Sequence, residues 1–437
     1  MQIYDWSRLS GSERKLALSR PAQRSREEVT RTVQEIIAAV RRDGDAALQA
    51  MTERLDGVRP EALAVTPAEF ADARSALNTA QHAALERAID NVQRFHAAQL
   101  PQPLSMQTMS GVHCERLIRP IPTVGLYVPA GSAPLPSAVI MLAVPARIAG
   151  CATRLLCTPP ARTGYANAAV LVAAELCGVT EVFKVGGAQA IAALAYGTAT
   201  IPKAAKIFGP GNMYVTAAKQ LVASDPDGAA CDLPAGPSEV MVLADETARA
   251  DFVAADLLAQ AEHDPQSQAL LVCNSQNLAE SVSIEVSQQS AHLSRQNILA
   301  RSLQSSRCIL VSDMRSAVAV ANEYAAEHLI LQVREPRELL ADIVNAGSVF
   351  LGSWSPEPLG DYCSGTNHVL PTYGYARAYS GLSVQDFVRG MTVQELSPAG
   401  LRALGPTAVE LARLEGLDAH ANAVTQRLRA LGSAAHP

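Results

Sequence analysis

Aromatic residues are scarce in this chain of 437 residues: Phe, Trp and Tyr together make up 4%. Base-stacking platforms for single-stranded nucleic acid are therefore not expected. Charged residues are also thin at 18%, below the roughly 25% of an average soluble domain, which argues against a disordered or coiled-coil chain. The net charge of −6 lacks the basic footprint of a general nucleic-acid binder, but it leaves a dinucleotide or a small cation open as ligand. No apolar h-region follows the N-terminal MQIYDWSRLSGSERKL, so no secretory signal is expected. The most apolar stretch, residues 137–156, is broken by Pro145, Arg147 and Arg154, whereas a membrane span needs about 20 nearly uncharged residues. The eight cysteines form no C-x-x-C pair. That removes the zinc-ribbon and thioredoxin readings and leaves reduced core residues of a cytosolic protein. G-x-G-x-x-G, P-loop, H-E-x-x-H and G-x-S-x-G motifs are missing too, so no conventional Rossmann site is signalled by motif.

What is present is a 48% hydrophobic fraction, enough for a large core, and a length that suggests about three domains or two with appendages. Residues 26–54 carry apolar positions at helical spacing with a break at Gly44, predicting two amphipathic helices, and 68–99 predicts another. From about 124 the texture changes. VGLYVP, TRLLCTP and EVFKVGG read as strands, alternating with the helical stretches PSAVIMLAVPARIAG, ANAAVLVAAELCG and AQAIAALAYG. A second series starts near Ser238, with SEVMVLAD, QALLVCN, RCILVSD, ILQV and SVFLG as strands between helices. Such alternation predicts parallel β-α-β units. Glu262-His263 and Glu327-His328 both fall at predicted helix ends. Residues 353–381 read as a long loop and 383–437 as a helical tail.

Four glycine-rich turns lie just past predicted strand ends, at 129–137, 185–190, 208–213 and 233–239. Ligands of open α/β sheets bind outside the carboxyl ends of strands, and a helix N-terminus after such a turn favours anions. Any one of them is explained as a tight turn; four together point to a nucleotide or substrate crevice. Gln260 and His263 are three apart on a predicted helix and share a face. Asp361 in the loop GDYCSGTNH and His420 in the helix containing EGLDAH are further metal-capable groups. On residue type alone, each is equally a cap, a turn former or a surface residue. Glu327-His328 at a helix end can aim both side chains into one cleft, where histidine suits general-base work; a satisfied core histidine is the alternative.

Taken in order, VGLYVPAGSAPL, ARIAGC, VGGAQAIAALAYGT, KIFGPGN, DLPAGPSEV, LLAQAEHD, EHLI, AGSVFLG, GDYCSGTNHVLPT and MTVQEL resemble the histidinol dehydrogenases, from about residue 5 to 430. The resemblance implies an NAD-dependent, four-electron oxidation of L-histidinol to L-histidine through bound L-histidinal, with one zinc ion per subunit. It assigns zinc to Gln260, His263, Asp361 and His420. It makes His328 the general base and Glu327 the group that activates water. The substrate would be contacted by Ser238 and Glu415 together with the zinc and catalytic residues, and NAD by Tyr127, Gln189 and Asn212. Zinc would orient the substrate rather than activate water.

The fold implied is α/β, with two incomplete Rossmann-like domains. The main, discontinuous one would span 23–126 and 240–382, and the second 127–239. A small appendage at 1–22 and a helical tail at 383–437 would complete the chain, the tail being exchanged in a cytoplasmic homodimer with shared sites and no nucleic-acid or membrane partner. One departure is Ala130-Gly131, where many relatives carry Gly-Gly; alanine would tighten the turn if φ is positive there. Two other readings stand beside this one. A related zinc-dependent dehydrogenase of the sulfopropanediol type is disfavoured by the presence of both Glu415 and His420. A non-catalytic zinc- or nucleotide-binding protein of the same fold is disfavoured by the intact Glu327-His328 pair.

Overall fold

A computed structural model describes residues 1–21, 26–130, 133–234 and 236–433. Gly131 of the Ala130-Gly131 turn and Ala235 of the last glycine-rich turn lie outside them. Ala130 itself is not among the described residues with positive φ, so the alanine is accommodated there without left-handed strain. The chain forms two compact units, Met1–Gln99 with Ile121–Phe387 and Leu100–Pro120 with Val388 onward. Among the described residues no helix is long and apolar enough to cross a membrane.

The helices start and stop where local chemistry dictates. Arg26–Asp43 gives way to Asp45–Asp56 at Gly44, and Gly57 in the left-handed region closes the second helix. The single helix expected over 68–99 is two, Pro67–Ala76 and Thr79–Ala97. Thr66 with Glu69 and Asn78 with Gln81 each form a capping box, so a new helix begins at Thr79.

In chain order the strands are β1 (Gln2–Asp5), β2 (Leu104–Met109), β3 (Val112–Pro120), β4 (Thr123–Tyr127) and β5 (Thr153–Thr158). They continue with β6 (Glu181–Lys184), β7 (Lys206–Phe208), β8 (Ala230–Cys231), β9 (Glu239–Ala244) and β10 (Gln268–Cys273). The last are β11 (Arg307–Leu310), β12 (His328–Gln332), β13 (Ser348–Leu351) and β14 (Val388–Leu396).

The first unit holds two wholly parallel sheets, ordered β1-β11-β10-β9-β12-β13 and β6-β5-β4-β7-β8. Strands buried on both faces read as continuous apolar runs, and β9 shows why. Val240, Val242 and Ala244 pack with the helices Ala250–Ala261, Gln276–Ser290 and Gln296–Ser305. Met241 and Leu243 pack on the opposite face with Met314–Tyr324.

Several expectations change. The helix expected through residue 329 ends at Tyr324, because Ala325 adopts φ 56 and its N–H closes the turn on the Ala321 carbonyl. Glu327 and His328 therefore stand at the head of strand β12, not at a helix end, whereas Glu262 does cap a helix. The helix expected over 335–346 shortens to Pro336–Leu340. The 353–381 loop contains a helix, Glu357–Tyr362, started by Pro356 and Pro358, so Asp361 is helical. The N-terminal piece, expected as a helical appendage, contributes β1 to the edge of the larger sheet through its pairing with β11 and adds only a short helix, Gly11–Ala17. In the second unit β14, β3 and β2 form an antiparallel sheet, so MTVQEL is a strand and the tail is not all helical. Its helices Pro398–Leu414 and Asp418–Ser433 pack through Val409, Ala412, Ala421 and Val424.

Glu69 ties two levels of this structure together. It accepts the Thr66 N–H at 2.7 Å, completing a cap, and the Lys184 ammonium at 2.7 Å, which ends β6. Burial opposes its charge, yet Lys184 and Thr66 hold its carboxyl below the ordinary 4.5. Removing one partner of a buried pair costs about 3 kcal/mol, so Glu69→Gln is expected to lower stability on that scale in urea titrations near pH 7. The carboxyl is depressed on folding, so its contribution is full above that ordinary value and is lost as pH falls through the folded one. The gap between wild type and Glu69→Gln should therefore narrow on acidification; a gap that widens would contradict the assignment.

Candidate functional site

The heads of β9 and β12 lie side by side, with His328 in register with Val240. The Glu239 N–H donates to the Glu327 carboxylate at 2.8 Å. The Glu239 carbonyl and the Gln260 side-chain oxygen lie 3.2 and 3.0 Å from His328 Nδ1. Both are acceptors, so Nδ1 carries the proton and the basic lone pair sits on Nε2. Nε2 has no hydrogen-bond partner among the described residues and lies 3.6 Å from an Asp361 oxygen.

Two further acids crowd this imidazole: Glu327 and Glu357 each place an oxygen 3.8 Å from Nδ1. Burial works against charge on His328, but Glu327, Glu357 and Asp361 outweigh it and hold the imidazolium up to about 10. Burial pushes Glu327 up to about 8, with His328 and the Glu239 N–H opposing. Burial opposes the charge of Asp361, but His328, with His368 and His263, outweighs it and holds the carboxyl well below the usual carboxylate range.

Glu239 is itself fixed from a distance. Its side chain, 2% exposed, receives a bidentate grip from Arg20 at 2.5 and 2.9 Å and the Tyr373 N–H at 2.8 Å. The Arg20 guanidinium lies over the Tyr324 ring, 4.0 Å from its centroid, and donates to the Tyr324 carbonyl. On the other side of Glu327, a Cβ on Gly347 would come within 2.6 Å of the Glu327 carbonyl oxygen, so only glycine fits.

Ligand atoms of His263, Glu357 and Asp361 lie within 4.8 Å of one another. His263 follows the C-cap of helix 250–261, and Glu357 and Asp361 sit four apart on helix 357–362. Burial pushes the His263 imidazole down, towards the neutral form that ligates metals. No donor of the described residues reaches either Glu357 oxygen, and the buried Gln260 Nε2 is likewise unpartnered. Nitrogen and oxygen donors with a surplus of buried carboxylates fit a divalent cation such as zinc.

His263, Glu327, His328 and Asp361 line one end of a cleft of about 1840 Å³. That exceeds the ~300–1,000 Å³ of a single small-molecule pocket and leaves room for two ligands. Tyr127, Gln189, Asn212 and Ser238 line the same cleft. Tyr127 ends β4, and its buried hydroxyl accepts the Gly187 N–H at 3.0 Å at the start of helix Gly187–Tyr196. Gln189 is in that helix's first turn, its side-chain oxygen buried and without a hydrogen-bond partner among the described residues. Asn212 caps Met213–Ser224 by accepting the Tyr214 and Val215 N–H groups. The preceding turn is clamped by Asp232, which accepts the Gly209 N–H at 2.7 Å, and by Lys219, which donates to the Gly209 carbonyl at 2.9 Å while paired to Asp232. A Cβ at Gly209, where φ is 126, would overlap the Tyr127 carbonyl. A helix N-terminus beside a glycine-lined floor fits the phosphates of a dinucleotide.

Glu415 and His420 belong to the second unit. Glu415 caps helix 398–414, His420 lies in helix 418–433, and both are exposed there. Sequence reasoning missed Glu357 and His368, the latter holding the Asp361 carbonyl through Nδ1 at 2.7 Å. The i, i+4 spacing of Glu357 and Asp361 was a usable signal, obscured because the segment reads as a loop.

The family described as histidinol dehydrogenase matches residues 18–428. The chain is 52% identical to the histidinol dehydrogenase of Vibrio vulnificus over 433 residues, 99% of this chain and 100% of that protein. It is 54% identical to that of Xanthomonas euvesicatoria over 428 residues, 98% and 99% of the two. The crystal structure of histidinol dehydrogenase from Elizabethkingia anophelis is similar with a TM-score of 0.94 at 42% identity, covering 99% of each chain.

The Arg20 grip generates a prediction. Lysine keeps the charge but not the fork, so Arg20→Lys is expected to retain most of the thermal stability while turnover falls about tenfold, the scale of a 1.4 kcal/mol loss. Steady-state kinetics on the folded variant check this; unchanged turnover would mean that Glu239 needs no fork to stay in place.

Proposed function

The chain belongs to the histidinol dehydrogenase family, and on that premise we propose that it oxidises L-histidinol to L-histidine in two NAD-dependent steps within one cleft. The observation that carries the reading is His328: its Nδ1–H is held by two acceptors and its Nε2 is free beside the metal-capable cluster. When bound, zinc supplies an orienting Lewis acid and NAD supplies the hydride acceptor. His263 and Asp361 would hold the metal, together with Gln260 and, on the resemblance, His420. Tyr127, Gln189 and Asn212 would contact the dinucleotide.

His328 Nε2 takes the proton of the substrate alcohol during the first oxidation. The aldehyde is kept in the cleft, away from bulk solvent. Glu327, pushed up to about 8 by burial, takes a proton from the water that adds to the aldehyde carbon while His328 returns its proton to the carbonyl oxygen, which gives the hydrate and restores the base. His328 then takes the hydroxyl proton of the hydrate as the second oxidation proceeds. Ser238 orients the substrate at the mouth of β9, and Glu415 is assigned to the same task by the resemblance. Imidazolium is favoured among three carboxylates; Asp361 and its neighbours would hold a dication, whose charge would offset theirs and favour His328 as the neutral base.

L-histidinol added to the enzyme and NAD should produce NADH absorbance at two equivalents per substrate. A chelator should abolish this, and zinc restore it. His328→Ala should lose about 10²-fold or more in turnover while still binding NAD. Absence of NADH formation by folded, zinc-loaded enzyme would reject the proposed reaction.

The resemblance also implies a homodimer in which one chain's tail completes the other's site. His263→Ala and His420→Ala chains, each inactive alone, are expected to regain activity when unfolded and refolded together. An inactive mixture containing mixed dimers by mass would show that each chain supplies its own His420.

A further inference from the structure

In a dinucleotide-binding half, an acid near the end of the second strand commonly receives the hydroxyls of the adenosine ribose, and an arginine there accommodates a 2′-phosphate instead. The five-stranded sheet of this protein has no such acid of its own. β5 ends in Thr158 and runs into Pro159-Pro160, and no Asp or Glu occurs anywhere between Glu115 and Glu175.

The carboxylate in this part of the cleft comes from elsewhere. Asp56, the last residue of helix Asp45–Asp56, lines the same cleft as Tyr127, Gly187 and Gln189. The segment after it is pinned along the sheet. Val65 N–H donates to the Val182 carbonyl at 2.8 Å and Lys184 N–H to the Leu63 carbonyl at 2.7 Å, both on β6. The turn after Asp56 also reaches the loop that follows β5: a Cβ on Gly164 would sit 3.6 Å from a Val58 methyl. Asp56 thus stands near the end of β4, close enough for its charge to act on the Tyr127 phenol.

Among the described residues no group answers this carboxylate: its Oδ2 is buried without a hydrogen-bond partner, and burial raises its carboxyl. It also places negative charge at a helix C-terminus, the wrong end of the dipole. A group that costs stability while facing a cleft is a candidate for ligand recognition.

We propose that Asp56 accepts the adenosine-ribose hydroxyls of the dinucleotide and rejects a 2′-phosphate, making it the residue that selects NAD over NADP. The inference rests on the dinucleotide use proposed above. A 2′-phosphate would bring a dianion against a partly buried carboxylate, whereas ribose hydroxyls offer it the donors it lacks. Arg54 lines the cleft nearby, so the opposite selectivity is a definite alternative outcome.

The test uses the zinc-loaded protein and its Asp56→Asn and Asp56→Ser variants, with three readouts. Calorimetric titration gives the affinity for NAD and for NADP. Kinetics with saturating L-histidinol give KM and kcat for each. Thermal unfolding without nucleotide gives stability. The expected result is weaker NAD binding by about tenfold, seen in KM rather than kcat, and an NADP-to-NAD ratio raised tenfold or more. The thermal midpoint should be equal to or above that of the wild type, which a structural role would lower. An unchanged NADP-to-NAD ratio, or a wild type that prefers NADP, overturns the proposal. A wild type that binds NAD but does not oxidise L-histidinol overturns the proposed reaction and leaves the binding arm decisive for Asp56. A wild type that binds neither dinucleotide overturns both.

Discussion

The peptide unit of Glu239 offers its N–H to Glu327 and its carbonyl to His328, and both directions are inherited from the sheet. β9 is paired on each side, with β10 and with β12, so the orientation of its first residue is not free to drift. The remaining freedom is at the very edge, where the ladder begins. There the Glu239 side chain is buried and charged, which is tolerable only with a partner. Arg20 supplies it from 219 residues away in sequence. The N-terminal strand β1, paired to β11, anchors the segment that delivers Arg20. An edge strand that reads as a minor appendage is therefore connected, through one ion pair, to the two side chains with the strongest claim to the chemistry.

The cleft joins two different kinds of sheet edge. Tyr127 ends β4, and Gly187 and Asn212 follow the carboxyl ends of β6 and β7, the place where open α/β sheets bind ligands. Glu239 and His328 are the first residues of β9 and β12, so the other end of the cleft is an amino-terminal edge. The two edges offer different chemistry. A carboxyl-terminal edge feeds helix N-termini and their amide hydrogens, suited to phosphates. At the amino-terminal edge the backbone of β9 provides one donor and one acceptor at fixed positions, suited to holding an acid and an imidazole in defined protonation states.

This division decides what was legible in the sequence. The β-α alternation and the glycine-rich turns follow local rules, and the parallel sheets and Gly187 lie where those rules predict. Gln260 was legible as a helical residue, but His263, expected on the same helix, lies just past the Glu262 C-cap in the turn that follows. Glu327 and His328 were legible as a pair but not in their setting. The helix before them is stopped by Ala325 in the left-handed region, a conformation that alanine rarely adopts and that tertiary packing imposes. Glu357 was hidden because six residues started by Pro356 and Pro358 carry no helical period to detect. Arg20 was not detectable at all: its partner is remote, and no local pattern marks a residue whose role is to neutralise a buried charge.

Charge balance separates the working end of the cleft from its scaffolding. In the five-stranded half Glu69 is answered by Lys184 and Asp232 by Lys219, and each pair also satisfies backbone groups nearby. In the six-stranded half Glu239 is answered by Arg20. At the heads of β9 and β12 the rule breaks: Glu327, Glu357 and Asp361 surround the single imidazole of His328. Buried carboxylates in excess of their cations cost free energy that the fold alone does not recover. Glu69, Asp232 and Glu239 are each answered by a cation, and the excess of carboxylates around His328 stands out against them as the mark of a candidate site.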